Sequence, residues 1–267
     1  MDEVRRVADL PYRSLAGTAD TVRYGTELRY DVFLPAQRTP ESRGGVIFVH
    51  GGLVPDTVLV SPKDDLPAYR EWARLVAAAG LVGITFSHRL TTADNLDIAA
   101  QDVEALLEAV TARASEWGLD PDRLCVAVYS AGGPLSSLFF DGRNGVRCIV
   151  MFYPFLDIEH TAAVSPFRQA HSPQRVEELR SHSPRELLLR LGGVVPPMLV
   201  AKAGRDVIPG INASIDRFVQ AALWTNAPLD LYIHQTGPHG FDLTSSSDGR
   251  ASEIVAAALA FMLRHTQ

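Results

Sequence analysis

The sequence predicts an α/β protein: a mostly parallel sheet of about eight strands with helices on both faces. Two patterns carry that expectation. Short apolar runs alternate with longer stretches of helical periodicity, as crossover helices between parallel strands require. The central runs are also apolar almost throughout, as strands covered on both faces are. The 267 residues, 46% of them apolar and 21% charged, suit one large domain of ordinary globular composition.

In chain order, two strands are expected first, Thr21 to Tyr24 and Leu28 to Leu34, joined through Gly25 as an antiparallel edge. Central strands follow at Val46 to His50, Leu81 to Ser87, Leu124 to Tyr129 and Val146 to Tyr153, with two more at Pro197 to Lys202 and Leu229 to His234. A helix is expected over Leu66 to Ala79, where Trp72, Leu75 and Val76 share a face and Gly80 stops it. A second is expected over Ile98 to Trp117, carrying Val103, Leu106, Leu107 and Val110 and stopped by Gly118. Pro209 to Trp224 and Ser252 to Leu263 complete the helices. Asp157 to Gly193 breaks the rhythm: polar and too long for a plain crossover, it reads as an insertion that contains the helix before the next strand, with short helices at Arg175 to Arg180 and Arg185 to Arg190.

The charge balance excludes some functions. With 25 Lys and Arg against 31 Asp and Glu, the net charge is −6, which argues against nucleic-acid binding. Neither a G-x-G-x-x-G nor a Walker pattern occurs, so nucleotide chemistry has no anchor. The first fourteen residues hold no apolar run like that of a signal peptide, and no stretch approaches the roughly 20 apolar residues that cross a bilayer, so a soluble, cytoplasmic protein is expected. Cys125 and Cys148 each sit inside an apolar strand run, and both are expected as reduced core residues. Metal binding with His50 or His88 is not expected, because no close-spaced ligand pair exists.

Four motifs carry chemistry. Val128-Tyr129-Ser130-Ala131-Gly132-Gly133 lies between a strand and a segment, Pro134 to Phe140, that can continue as a helix. A serine at such a turn is lifted clear of the sheet, although a plain helix N-cap has the same look. His50-Gly51-Gly52-Leu53 ends a strand and opens a loop; its glycines either let backbone N–H groups face a ligand oxygen or simply make a turn. Gly204-Arg205-Asp206 and Gly237-Pro238-His239-Gly240-Phe241 each follow a strand. All four fall at the C-terminal ends of strands, where open parallel sheets place ligands.

Together these residues resemble the nucleophile elbow, the H-G-G-x oxyanion loop and the Ser, Asp, His order of α/β-hydrolases of the hormone-sensitive-lipase and carboxylesterase type. Gly118 to Leu124, Ser183-Pro184 and Pro196-Pro197 share the likeness, which runs from about Val22 to Leu263. The resemblance implies a single α/β-hydrolase domain over 1–267, with a cap or lid at about 157–193. Ser130 would be the nucleophile, His239 the base and Asp206 its partner, with N–H groups of Gly52, Leu53 and Ala131 holding the oxyanion. It implies no cofactor and no metal. Two residues depart from the pattern. Val128 replaces the first glycine of G-x-S-x-G, where a β-branched side chain needs room, and Leu53 replaces a glycine of the oxyanion loop. Asp157 stands as the reserve acid, and His160, His171 or His182 could be carried toward substrate by the lid.

The activity implied is hydrolysis of small to medium carboxylic esters through an acyl-enzyme. Pocket walls would come from Leu53, Val54, Pro55, Phe155, Leu156, Val164 and Phe167, an apolar lining suited to a small-molecule ester. An amidase, deacetylase or peptidase on the same residues stays open, as does a catalytically silent fold that binds a ligand or partner. The oligomeric state is not readable, although the apolar last strand and C-terminal helix could pair across a homodimer.

Overall fold

A computed structural model describes residues 4–16, 27–37, 41–52, 67–90, 95–160, 173–243 and 248–267. Eight strands form one sheet: β1 (Arg5–Ser14), β2 (Glu27–Leu34), β3 (Arg43–Val49), β4 (Val82–Phe86), β5 (Leu119–Tyr129), β6 (Val146–Phe152), β7 (Met198–Ala203) and β8 (Leu229–His234). Their order is β1-β2-β4-β3-β5-β6-β7-β8. Strands β3 to β8 pair in parallel, and β1 and β2 form an antiparallel edge. This is the mostly parallel sheet expected of an α/β-hydrolase.

The edge differs from expectation in its first member. Thr21 to Tyr24 lie outside the described residues, and the partner of β2 is Arg5–Ser14. That strand packs Val7, Leu10 and Tyr12 on the core and is anchored as well by a buried carboxylate. Asp31, buried in β2, accepts from Arg6 Nε and from the backbone N–H of Asp9, both at 2.9 Å. Farther along, the Tyr12 hydroxyl donates to the Ser87 carbonyl at 2.5 Å.

Helices cover the two faces. On one lie α1 (Pro67–Ala78) and the C-terminal α5 (Gly249–Thr266), packed on Phe33, Phe48, Cys125, Ala127 and Phe152. On the other lie α2 (Leu96–Ala112) and α4 (Ile211–Trp224), over Ile47, Val126, Val128 and Val200. The period-2 alternation of each strand sends its side chains to both layers in turn. The expected helix over Ile98 to Trp117 is broken: α2 ends at Ala112 and a separate turn, Ala114–Trp117, closes at Gly118 in the left-handed region. In α5 the start lies earlier than expected, because the Asp248 side chain accepts from Arg250 and Ala251 N–H and caps the helix.

The cysteines correct the expectation of reduced thiols. Cys125 and Cys148 are register partners on adjacent strands, so both side chains leave the same face. Their Cα atoms are 4.8 Å apart and the sulfurs form a disulfide.

Within the described part of the insertion, Pro173–Leu179 and α3 (Pro184–Arg190) are helical, close to the expected pair. Asp157 anchors this segment. Its carboxylate is fully buried, 2.6 Å from Arg217 Nε and 3.6 Å from Arg185 Nε, and it accepts from the His160 N–H.

Candidate active site

The end of β5 turns sharply into a helical run, Ser130–Phe139, of 3₁₀ type. Ser130 at the turn has φ +50°, a left-handed conformation that costs a non-glycine residue energy and holds it out of the sheet. Such a turn demands close approach. A Cβ on Gly132 would lie 2.6 Å from the His50 carbonyl oxygen, and one on Gly51 would lie 2.6 Å from the Tyr129 carbonyl oxygen. Elbow and H-G-G loop therefore press on each other, and each supplies a glycine where they meet.

Val128 does not crowd this turn. It stays in register with Val49 and Met151, is fully buried, and packs in the cluster that holds Leu135 of the elbow helix. The room needed by its side chain is the core itself, while the tight contacts fall on the glycines after Ser130.

Asp206 follows β7 and His239 follows β8. His239 Nδ1 lies 2.6 Å from Asp206 Oδ2, and the Asp206 side chain is fully shielded from solvent. The second carboxylate oxygen accepts the Ile208 N–H at 3.0 Å. The two loops are tied directly, by Arg205 N–H to the Gly237 carbonyl and by Gly204 N–H to the His234 carbonyl. Because an ionised carboxylate only accepts, a neutral His239 facing it carries its proton on Nδ1 and leaves Nε2 as the basic atom.

The turn after β6 joins Ser130 and His239. Phe155 N–H donates to the Ser130 carbonyl at 3.0 Å, and two residues earlier the Tyr153 ring packs 4.4 Å from that of His239. No hydrogen bond between His239 and the Ser130 hydroxyl occurs among the described residues; such bonds often tighten only when substrate binds.

The histidine of the H-G-G motif is held from behind. His50 is buried, its Nε2 accepts the His88 backbone N–H at 3.2 Å, and its ring stacks on that of His88 with centroids 3.6 Å apart. With Nε2 accepting, Nδ1 carries the proton and donates to the Gly51 carbonyl at 2.9 Å. The Gly51 N–H in turn donates to the Tyr69 hydroxyl of α1 at 2.8 Å. Burial, followed by the neighbouring His50, holds His88 well below the ordinary histidine range.

Of the other expected site residues, Gly52 is exposed at φ +82° and Ala131 is half-buried at the start of the elbow helix. Leu53, Val54, Pro55, Val164 and Phe167 lie outside the described residues, as does His171. Phe155 is partly exposed. Leu156 is fully buried in the main cluster, its N–H bonded to Ser214 Oγ, so its side chain belongs to the core and not to an open pocket wall. His182 pairs with Asp97 at 2.7 Å. The carboxylate at His239 Nδ1 is that of Asp206, while Asp157 pairs with arginines. Among the described residues no group of His, Cys, Asp and Glu could hold a metal, and no helix is long and apolar enough to cross a membrane.

Sequence reasoning gave no place at this site to His88, Tyr69, Trp72, Tyr153 or Asp242. Each joins the site through a partner distant in sequence, and no local motif marks any of them.

The BD-FAE family model matches residues 30–175. That span includes His50 and Ser130 and stops short of Asp206 and His239. Comparison with curated proteins gives no match. Among solved structures, EstE1, a thermophilic carboxylesterase cloned from a metagenomic library, superposes with a TM-score of 0.73 at 22% identity, over 100% of this chain and 90% of that one. Esterase LipW from Mycobacterium marinum gives 0.70 at 19% identity, over 98% and 82%. Esterase 2 of Thermogutta terrifontis, in a form phosphoramylated by tabun, gives 0.71 at 18% identity, over 98% and 94%.

Proposed function

The chain belongs to the BD-FAE family, and from that premise we propose that it is a serine hydrolase cleaving small to medium carboxylic esters. The observation that carries the reading is the 2.6 Å bond between a shielded Asp206 and His239, past the C-terminal ends of β7 and β8, with a serine held at φ +50° past the C-terminal end of β5. The esterase structures that share its fold support it, one of them in a form modified by an organophosphorus compound.

His239 Nε2 takes the proton of Ser130 Oγ as that oxygen attacks the ester carbonyl carbon, while Asp206 fixes the imidazole tautomer and balances the imidazolium. Backbone N–H groups of Gly52, Leu53 and Ala131 hold the oxyanion, helped by the positive end of the elbow helix. The tetrahedral intermediate collapses, and His239 returns the proton to the departing alcohol. Water, deprotonated by the same histidine, then releases the acid from Ser130. The whole chain acts as one domain, with the 157–193 insertion as its lid.

Hydrolysis of p-nitrophenyl acetate, butyrate and octanoate by wild type beside Ser130→Ala, with organophosphonate labelling, tests this. Activity and labelling both vanish in the mutant if the reading holds. Folded wild-type protein that neither hydrolyses nor labels overturns it and leaves the fold as a binding module.

A further inference from the structure

Asp242 lies three residues past His239, in the helical turn Phe241–Leu243, and the mechanism above makes no use of it. Its carboxylate accepts two hydrogen bonds: from Trp72 Nε1 of α1 to Oδ2 at 2.8 Å, and from the Tyr153 hydroxyl to Oδ1 at 2.5 Å. The second has the length of a charge-assisted O–H···O⁻ bond. Tyr153 is itself buried and held at φ +37°, a conformation an aromatic residue keeps only when its surroundings impose it. Its ring stands 4.4 Å from the His239 ring, tilted 56°.

We propose that Asp242 is a positioning residue that acts through Tyr153: it polarises the phenol, so that the ring face stabilises the positive charge His239 gains from the serine. This rests on the serine-hydrolase reading. Tyrosine faces attract cations, more strongly where water is excluded, and a phenol donating to a carboxylate carries extra electron density. Asp206 then serves the Nδ1 edge of the imidazole, while Tyr153, backed by Asp242, serves it through the adjacent tilted ring.

The ionisable neighbours agree with this arrangement. Burial pushes the Asp242 carboxyl above its usual range, offset only in part by hydrogen bonds from Tyr153, Trp72 and the backbone and by the charge of His239. Burial and then Asp242 push Tyr153 and Tyr129 well above the tyrosine range, so Tyr153 stays protonated as the donor. Tyr69 is raised likewise by burial and also feels Asp242. His234, against Phe241, is taken up by Asp248 at 2.8 Å.

The test is the pH profile of kcat/KM for p-nitrophenyl butyrate, with organophosphonate labelling, in wild type, Asp242→Asn and Tyr153→Phe. Expected are a loss in kcat of roughly 3- to 10-fold, little change in KM, and an acidic limb displaced to lower pH in both variants, since a less stabilised imidazolium releases its proton sooner. Tyr153→Phe keeps the ring and carries the test alone if Asp242→Asn does not fold. A lower kcat with the acidic limb unmoved would make Asp242 a structural prop and overturn the proposal, while leaving a labelled wild type as a serine hydrolase. A wild type that does not label overturns both.

Discussion

Replacing Val128 with the glycine that G-x-S-x-G carries at that position is expected to lower stability and leave activity no higher. Val128 has no solvent exposure, lies in register between Val49 and Met151, and packs in the cluster with Leu135. Losing a fully buried valine side chain removes about 1.5–3 kcal/mol of burial. A glycine inside a strand adds about 0.5–1 kcal/mol of backbone entropy, so Val128→Gly loses about 2–4 kcal/mol. For a chain this long each kcal/mol moves Tm by about 2 °C, which gives a fall of about 4–8 °C. Thermal melts of both proteins, with p-nitrophenyl butyrate hydrolysis under native conditions, read the two quantities. A glycine variant that melts within about 1 °C of wild type and turns over faster would refute the reasoning, because the valine would then be straining the elbow instead of filling the core.

Asp206→Asn, which offers an amide to His239 Nδ1, should cut kcat by about 10⁴ with the fold intact; retention of most of the activity in steady-state assays would remove Asp206 from the triad. Gly51→Ala brings a Cβ to 2.6 Å from the Tyr129 carbonyl oxygen and 2.8 Å from Ser130 Cβ, so kcat should fall by about 10² or more as loop and elbow separate, and unchanged kinetics would show that the two do not touch. Stability should also depend on pH through His88. The folded state keeps His88 neutral while the unfolded chain binds a proton below about pH 6.5, so stability is unaffected above that value and declines as pH falls below it. His265, lowered by burial and by Arg264, adds in the same sense. Asp97, where His182 and Arg175 outweigh burial, and Asp248, held by the Ala251 N–H, contribute only below about pH 4. Asp242, raised by burial, acts in the opposite sense as pH rises, so urea midpoints at about pH 5 and about pH 7.5 assign the dependence to His88 only by comparing wild type with His88→Asn. A His88→Asn protein whose midpoint drops between those values as steeply as that of wild type would count against the assignment.

Strands β3 to β7 were legible because burial on both faces leaves their central positions apolar, while β8, half-exposed at the sheet's far side, was legible from its alternation of Leu229, Leu231 and Ile233 with polar or aromatic residues. The first strand was not, because Val7, Leu10 and Tyr12, which pack on the core, are unevenly spaced across a register shift, so the run Arg5–Ser14 carries no steady period to read. Ser130, Asp206 and His239 could be placed because strand ends order them along the chain. Tyr153 and Asp242 could not, since they meet their partners across the fold: Trp72 and Asp242 stand 170 positions apart. The disulfide was missed for a related reason. Two cysteines in separate apolar runs say nothing about strand register, and register is what sets Cys125 opposite Cys148.

Helix α1 sends two side chains, one turn apart, to separate loops: Tyr69 to the Gly51 N–H and Trp72 to Asp242. The first of these contacts pins the segment between Gly51 and Tyr69 at its base. Closure entropy grows only slowly with length, so residues can be added, removed or exchanged within that bracket at small thermodynamic cost while both of its feet stay fixed. Exchange within that bracket therefore leaves in place the bond from Gly51 to Tyr69, and with it the setting of His50, whatever residues stand between.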